Sequence, residues 1–150
     1  MEFVAHARNV KGVIRIALIG SILTDKKAPK DIDLLVNVST DIDIKSLAAR
    51  GRQMKGKSQT LNLGADIFLS SIDNQYIGRL CRYRDCHPRV SCQGADCRPD
   101  SWICTDLRVI KIHSTLIESP PLVVWPKTLI GQPLPDDVIR IALHGGADKI

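Results

Sequence analysis

Ile14-Arg15-Ile16-Ala17-Leu18-Ile19-Gly20-Ser21 is followed, after nine residues, by Asp31-Ile32-Asp33-Leu34-Leu35-Val36, and these two runs decide how the chain is read. The apolar run Val13 to Ile19 has the length and β-branched content of a buried strand, and it stops at Gly-Ser. The second run, Asp31 to Val38, opens with two carboxylates one residue apart. Side chains of a strand alternate faces, so Asp31 and Asp33 project together while Ile32 and Leu34 turn into the core. Two carboxylates that close repel each other, and a fold keeps such a pair where a cation compensates. Gly20 lets the backbone approach a ligand with no Cβ in the way, and Ser21 offers an amide and a hydroxyl to a phosphate oxygen. The combination suits a nucleoside triphosphate with Mg²⁺.

Outward from this stretch, Met1 to Val10 has the three- and four-residue apolar spacing of a short helix (Phe3, Val4, Ala7, Val10). The loop before the acid pair carries Lys26, Lys27 and Lys30, a solvated run from which one lysine could reach a triphosphate. Asp41-Ile42-Asp43 repeats the carboxylate spacing but precedes a helical pattern (Ile44, Leu47, Ala48), so both acids are expected to cap a helix. That helix is expected to fade near Arg50-Gly51, leaving a basic segment with Arg50, Arg52, Lys55 and Lys57. A third strand region is expected over Ser58 to Leu69. Within it, Asp66 stands inside Gly64-Ala65-Asp66-Ile67-Phe68-Leu69, where an unpaired buried carboxylate would cost several kcal/mol, roughly. Either Asp66 joins Asp31 and Asp33 from a neighbouring strand, or it forms a salt bridge with one of the arginines.

Composition bounds these readings. A chain of 150 residues suits one domain. With aromatics at only 4% of residues, the core is built from Ile, Leu, Val and Ala, which favours buried strands in an α/β or α+β layout. A net charge of +5 and a pI of about 9.1 favour anionic partners. Nucleic acid is not the favoured one, because the charge is moderate and aromatics are too few for a base-stacking platform. Residues Met1 to Lys11 lack the pattern of a signal peptide, and the apolar runs are too short to cross a bilayer, so a cytoplasmic, reducing setting is the default expectation.

With Asp66 added, the pattern resembles the DNA polymerase beta-like nucleotidyltransferase superfamily, in particular its minimal members. The resemblance rests on an apolar strand ending in Gly20-Ser21, a loop, Asp31-Ile32-Asp33 opening a second apolar strand, and a third acid within Ala65-Asp66-Ile67-Phe68. It covers Val13 to Leu69, under half of the chain. It implies a small mixed sheet with helices packed on one side and an active-site cleft at its open edge. It also implies transfer of a nucleoside monophosphate from an NTP to a protein, RNA or small-molecule acceptor, with release of pyrophosphate. By the resemblance, Asp31, Asp33 and Asp66 would be catalytic and would hold two Mg²⁺ ions, and Asp66 would also help deprotonate the acceptor. Gly20 and Ser21 would grip the phosphates, joined by Lys30. The loop Leu23 to Lys30 departs from the family's Arg-Gly type, which bears on base preference. Small members commonly need a second copy or a helical partner protein to complete the pocket. The expected organisation is a nucleotidyltransferase-like domain over residues 1–113, containing a Cys/Arg-rich insert at 81–104. Residues 114–150 would form a Pro-rich connector and a C-terminal helix packed on the same domain. A catalytically silent, antitoxin-like binding module on the same fold is the alternative from another class.

The insert has its own chemistry. Cys81, Cys86, Cys92, Cys97 and Cys104 fall among many arginines, with turn residues and few apolar side chains, so burial alone would not fold it. The spacings lack a Cys-x-x-Cys pair, and structural zinc, free or packed thiols, and disulfides all stay open. A zinc-stabilised basic nucleic-acid-binding protein is a third reading. The arginines in and beside this segment, Arg79, Arg82, Arg84, Arg89 and Arg98, are expected to be mainly solvated, with acceptor RNA, a phosphate or a protein surface as the alternative partners. Further on, Asp106 to His113 is expected as a strand, Leu122 to Trp125 as an extended edge piece, and Asp136 to Leu143 as a last helix ended by Gly145-Gly146.

Overall fold

A computed structural model describes residues 2–81, 103–104 and 116–139. In chain order these form helix α1 (Glu2–Ala7), strand β1 (Val13–Ile19), a 3-10 turn (Gly20–Leu23), β2 (Asp31–Val38), α2 (Ile44–Thr60), β3 (Gly64–Ser71), β4 (Tyr76–Leu80), β5 (Ile103–Cys104), β6 (Leu122–Trp125) and β7 (Leu129–Ile130). The strands make one seven-stranded sheet in the order β5-β4-β3-β2-β1-β6-β7. Among the described strands, only β2 and β3 pair in parallel. A parallel neighbour requires a crossover, and α2 supplies it. The result is a mixed α/β fold on a mixed sheet, the class expected from the apolar runs.

Apolar residues lie on both faces of the central strands. Leu34, Val36 and Val38 of β2 join Ile16, Ile67 and Leu69 beneath Phe3, Ala7, Leu47 and Ala48 of α1 and α2. Leu35 points the other way and joins Ile19 and Phe68 under Leu116 and Leu134, with Ile139 packed alongside. Fully burying each such Val, Leu, Ile or Phe side chain contributes about 1.5–3 kcal/mol. The expectation that helices pack on one side therefore needs correction. Residues 136–139 are helical and lie on the face opposite α1 and α2. Leu35 and Phe68 demand cover there.

The second correction concerns α2. It does not fade at Arg50-Gly51 but runs to Thr60, so Ser58 belongs to the helix and β3 starts only at Gly64. Arg, Gln, Met and Lys are good helix formers, and tertiary packing overrides the cost of the two glycines, Gly51 and Gly56. At Gly51 an added Cβ would stand 3.0 Å from Ile67 Cδ1 and 3.4 Å from Leu80 Cδ1. The glycine there lets the helix lie close to the sheet. The stop is Asn62, which takes the left-handed conformation at φ 57° that ends many helices. Around it, Leu61 N–H and Leu63 N–H both donate to Ser58 O.

At the other end of α2 the repeated acids part company. Asp43 is the N-cap, its Oδ1 accepting from Ser46 N–H at 3.1 Å. Asp41 caps nothing: it accepts from Ser39 Oγ and pairs with Lys11 Nζ at 3.3 Å, standing two residues too early for the first turn. Cys86, Cys92, Cys97, the stretch 106–113 and residues 140–150 lie outside the described residues. The chain is nevertheless back in the sheet at β5, where Cys104 pairs with Arg79 of β4. Among the described residues, no helix is long and apolar enough to cross a membrane.

Candidate functional site

The in-register parallel pairing of β2 and β3 sets Asp31 beside Gly64 and Asp33 beside Asp66. Neighbouring strands lie about 4.8 Å apart, and residues level with each other share a face, so Asp33 and Asp66 are lateral neighbours. On the other flank of β2, Ile19 pairs with Asp33, and the next residue, Gly20, turns the chain into the 3-10 turn. The three acids and the Gly-Ser bend thus meet at one end of the sheet, where β1 leaves it and β2 and β3 enter.

Two glycines make room for two carboxylates. A Cβ on Gly20 would lie 2.7 Å from Asp33 Oδ2, and the residue's φ of +78° is itself a glycine conformation. A Cβ on Gly64 would lie 2.1 Å from Asp31 Oδ1. Gly64 N–H donates to Lys30 O at 2.6 Å, tying the residue before the acid pair to the start of β3. Leu116, from the cover of the second face, also approaches Gly20, its Cδ2 lying 3.1 Å from where a Cβ would be.

The electrostatics follow from this crowding. Burial pushes the Asp33 carboxyl up to about 7, the charges of Asp66 and Asp31 push it the same way, and Arg79 opposes them. Asp66 is held by Arg79, whose Nη1 stands 3.3 Å from Oδ1, and Lys55 Nζ comes within 4.0 Å of the same oxygen. Of the two readings left open for Asp66, both therefore describe something real: it joins the other acids and it is ion-paired.

Arg79 was expected among solvated arginines, and that is corrected: only 6% of it is exposed. Its position in register with Phe68 puts it on the acid-bearing face of the sheet. The signal for it was in the sequence. Arg79 interrupts Tyr76-Ile77-Gly78-Arg79-Leu80 much as Asp66 interrupts its own strand, and an acid and a base embedded in consecutive strands are natural partners.

The other candidates are placed as follows. Ser21 lies next to Gly20 in the 3-10 turn, its carbonyl accepting from Thr24 N–H at 3.1 Å and from Thr24 Oγ1 at 2.7 Å. Lys30 is exposed immediately before Asp31. Cys81 is half-buried at the end of β4 and forms no disulfide among the described residues. It lines a small recess with Lys55 and Asp66. Zinc binding by Cys81, Cys86, Cys92, Cys97 and Cys104 involves residues outside the described set.

Among the described residues, no three His, Cys, Asp or Glu side chains form a ready-made metal-holding group. The donor chemistry does fit a hard divalent cation. Three carboxylates share one sheet end, and the burial and, after it, the mutual repulsion that raise Asp33 are what such a cation would offset. No protein-family model, curated protein or solved structure matches the chain.

Proposed function

We propose that the chain is a small Mg²⁺-dependent nucleotidyltransferase with a nucleotidyltransferase-like fold, moving a nucleoside monophosphate from an NTP to an acceptor hydroxyl or similar group. The observation that carries this reading is the packing of Gly20 against the Asp33 carboxylate, with Asp66 beside Asp33 in register. A glycine bend brought against an acid cluster would set backbone suited to phosphate beside oxygens suited to a metal ion, the juxtaposition that phosphoryl chemistry needs.

Asp31, Asp33 and Asp66 would hold Mg²⁺, which when bound supplies charge neutralisation for the triphosphate and the leaving pyrophosphate. Gly20 and Ser21 would bind phosphate oxygens through the bend, and exposed Lys30 would meet the same tail from the loop. The acceptor oxygen attacks the α-phosphorus, the bond to the bridging oxygen breaks, and pyrophosphate leaves with that electron pair. Asp66 would receive the acceptor's proton. A second copy or a helical partner protein would complete the acceptor side, and the acceptor would be a protein, an RNA or a small molecule.

The test is incubation with labelled NTPs, Mg²⁺ and cell extract. Asp33→Ala should reduce label transfer by roughly a hundredfold or more, the scale of losing one preorganised charge-stabilising group. The second reading is a silent binding module, and the Arg79–Asp66 ion pair favours it, since a carboxylate engaged by a guanidinium is not free to ligate. Equal labelling by the wild type and Asp33→Ala, or no labelling with any NTP, would support that reading instead.

A further inference from the structure

Asp66 Oδ1 is approached by two cationic side chains from opposite layers of the fold: Arg79 from β4 in the sheet, and Lys55 from α2. The separations of 3.3 Å and 4.0 Å both exceed the roughly 2.7–2.9 Å of a tight charged hydrogen bond. Arg79 is buried and fixed, whereas the Lys55 side chain is 22% exposed and sits on a flexible stem. Together they set two positive charges against the three carboxylates of Asp31, Asp33 and Asp66. The charge of Arg79 also reaches Asp33, opposing the upward push of the other two acids.

We propose that Arg79 and Lys55 are positioning residues that act as resident counter-ions of Asp66, competing with a divalent cation for the same carboxylate. This rests on the reading of the acids as a metal site. It goes further by assigning two bases, on separate elements, a say in how tightly that site takes its ion. In this arrangement the empty cluster is kept folded by protein charges, at the cost of affinity for free cation. Lys55, being partly exposed, gives way first, and Arg79 stays in place and attenuates binding.

The test uses the full chain and Mn²⁺, with free Mn²⁺ followed by electron paramagnetic resonance. Arg79→Met should bind Mn²⁺ about tenfold tighter than the wild type, the order expected when one nearby unit charge is removed from beside a divalent ion. Lys55→Met should tighten it by roughly threefold, and Arg79→Lys, which keeps the charge, should stay near the wild type. Thermal melts with and without Mn²⁺ should show a larger cation-induced rise for Arg79→Met than for the wild type. If burial of an unbalanced Asp66 prevents Arg79→Met from folding, the variant at partly exposed Lys55 carries the test. Unchanged or weaker Mn²⁺ binding in the charge-removing variants would overturn the inference. Mn²⁺ binding that Asp33→Asn leaves unaltered would overturn the carboxylate site itself, and the counter-ion role with it.

Discussion

The carboxyl of Asp33 is where chemistry and stability pull against each other. Its folded-state value of about 7 lies above the usual 3.8, so the folded chain holds this proton more tightly than the unfolded chain does. The cost of ionising it is absent below about pH 4, grows between about 4 and 7, and is complete above 7. At about 1.4 kcal/mol per unit the ceiling is roughly 4 kcal/mol. We therefore expect Asp33→Asn to stabilise the cation-free protein at pH 8 by about 2 kcal/mol in urea melts, allowing for partial solvation. The gain should vanish by pH 4. The two glycines should respond differently. Gly20→Ala meets both a positive φ and the Asp33 carboxylate, and should cost about 1–3 kcal/mol. Gly64→Ala meets only the end of the Asp31 side chain, which can rotate away, so it should weaken Mn²⁺ binding while changing stability by less than about 1 kcal/mol. Asp31, Asp33 and Gly20 were legible in the sequence because alternation and a terminal glycine are local signals. Arg79 stands out as a base inside its strand, but its role was not readable, since that depends on which strand lies beside β3.

At the scale of elements, α2 carries the largest difference between sequence and structure. Its basic, glycine-containing second half looks like a loop when read locally, and only Ile67 and Leu80 across the interface explain why Gly51 is needed within a helix. Gly56 has no such reason: among the described residues nothing lies within 4 Å of where its Cβ would be. Gly56→Ala should accordingly stabilise the protein by about 0.5–1 kcal/mol through helix propensity and a less mobile unfolded chain, measurable as a higher urea midpoint. Asp43→Ala should lower the urea midpoint by removing the cap on Ser46, whereas the capping acid's neighbour, Asp41, should matter less because its partner Lys11 is exposed. The strands of the central sheet were easier to recognise than α2, because an unbroken Ile/Leu/Val run needs no knowledge of its neighbours.

For the molecule as a whole, the opposing shifts of its acids set a pH optimum. Glu2, Asp41 and Asp43 are held below the usual carboxylate range by hydrogen bonds from Lys57, Ser39 and Ser46 respectively, so their contributions are present at higher pH and lost as pH falls through their folded-state values. Asp33 acts in the opposite sense between about 4 and 7. Thermal melts of the cation-free chain should therefore peak at mildly acidic pH, and saturating Mg²⁺ should move the peak toward neutrality by offsetting the repulsion at Asp33. The second face of the sheet was hardly legible: Leu116 and Leu134 sit in Pro-punctuated sequence with no periodicity, and only the three-dimensional fold reveals that they roof the acid-bearing side.

The level placement of Asp33 and Asp66 on parallel neighbours also restricts how the chain can misfold. Slipping β2 by one position would turn every one of its side chains over, driving both of its acids toward Phe3 and Leu47 and turning Leu34 and Val36 away from them. Ionised groups in that apolar layer, with no base to meet them, would make the slipped sheet untenable. The same acids offered above as ion ligands thus act as an alignment key, rejecting the wrong strand pairing before any ligand arrives.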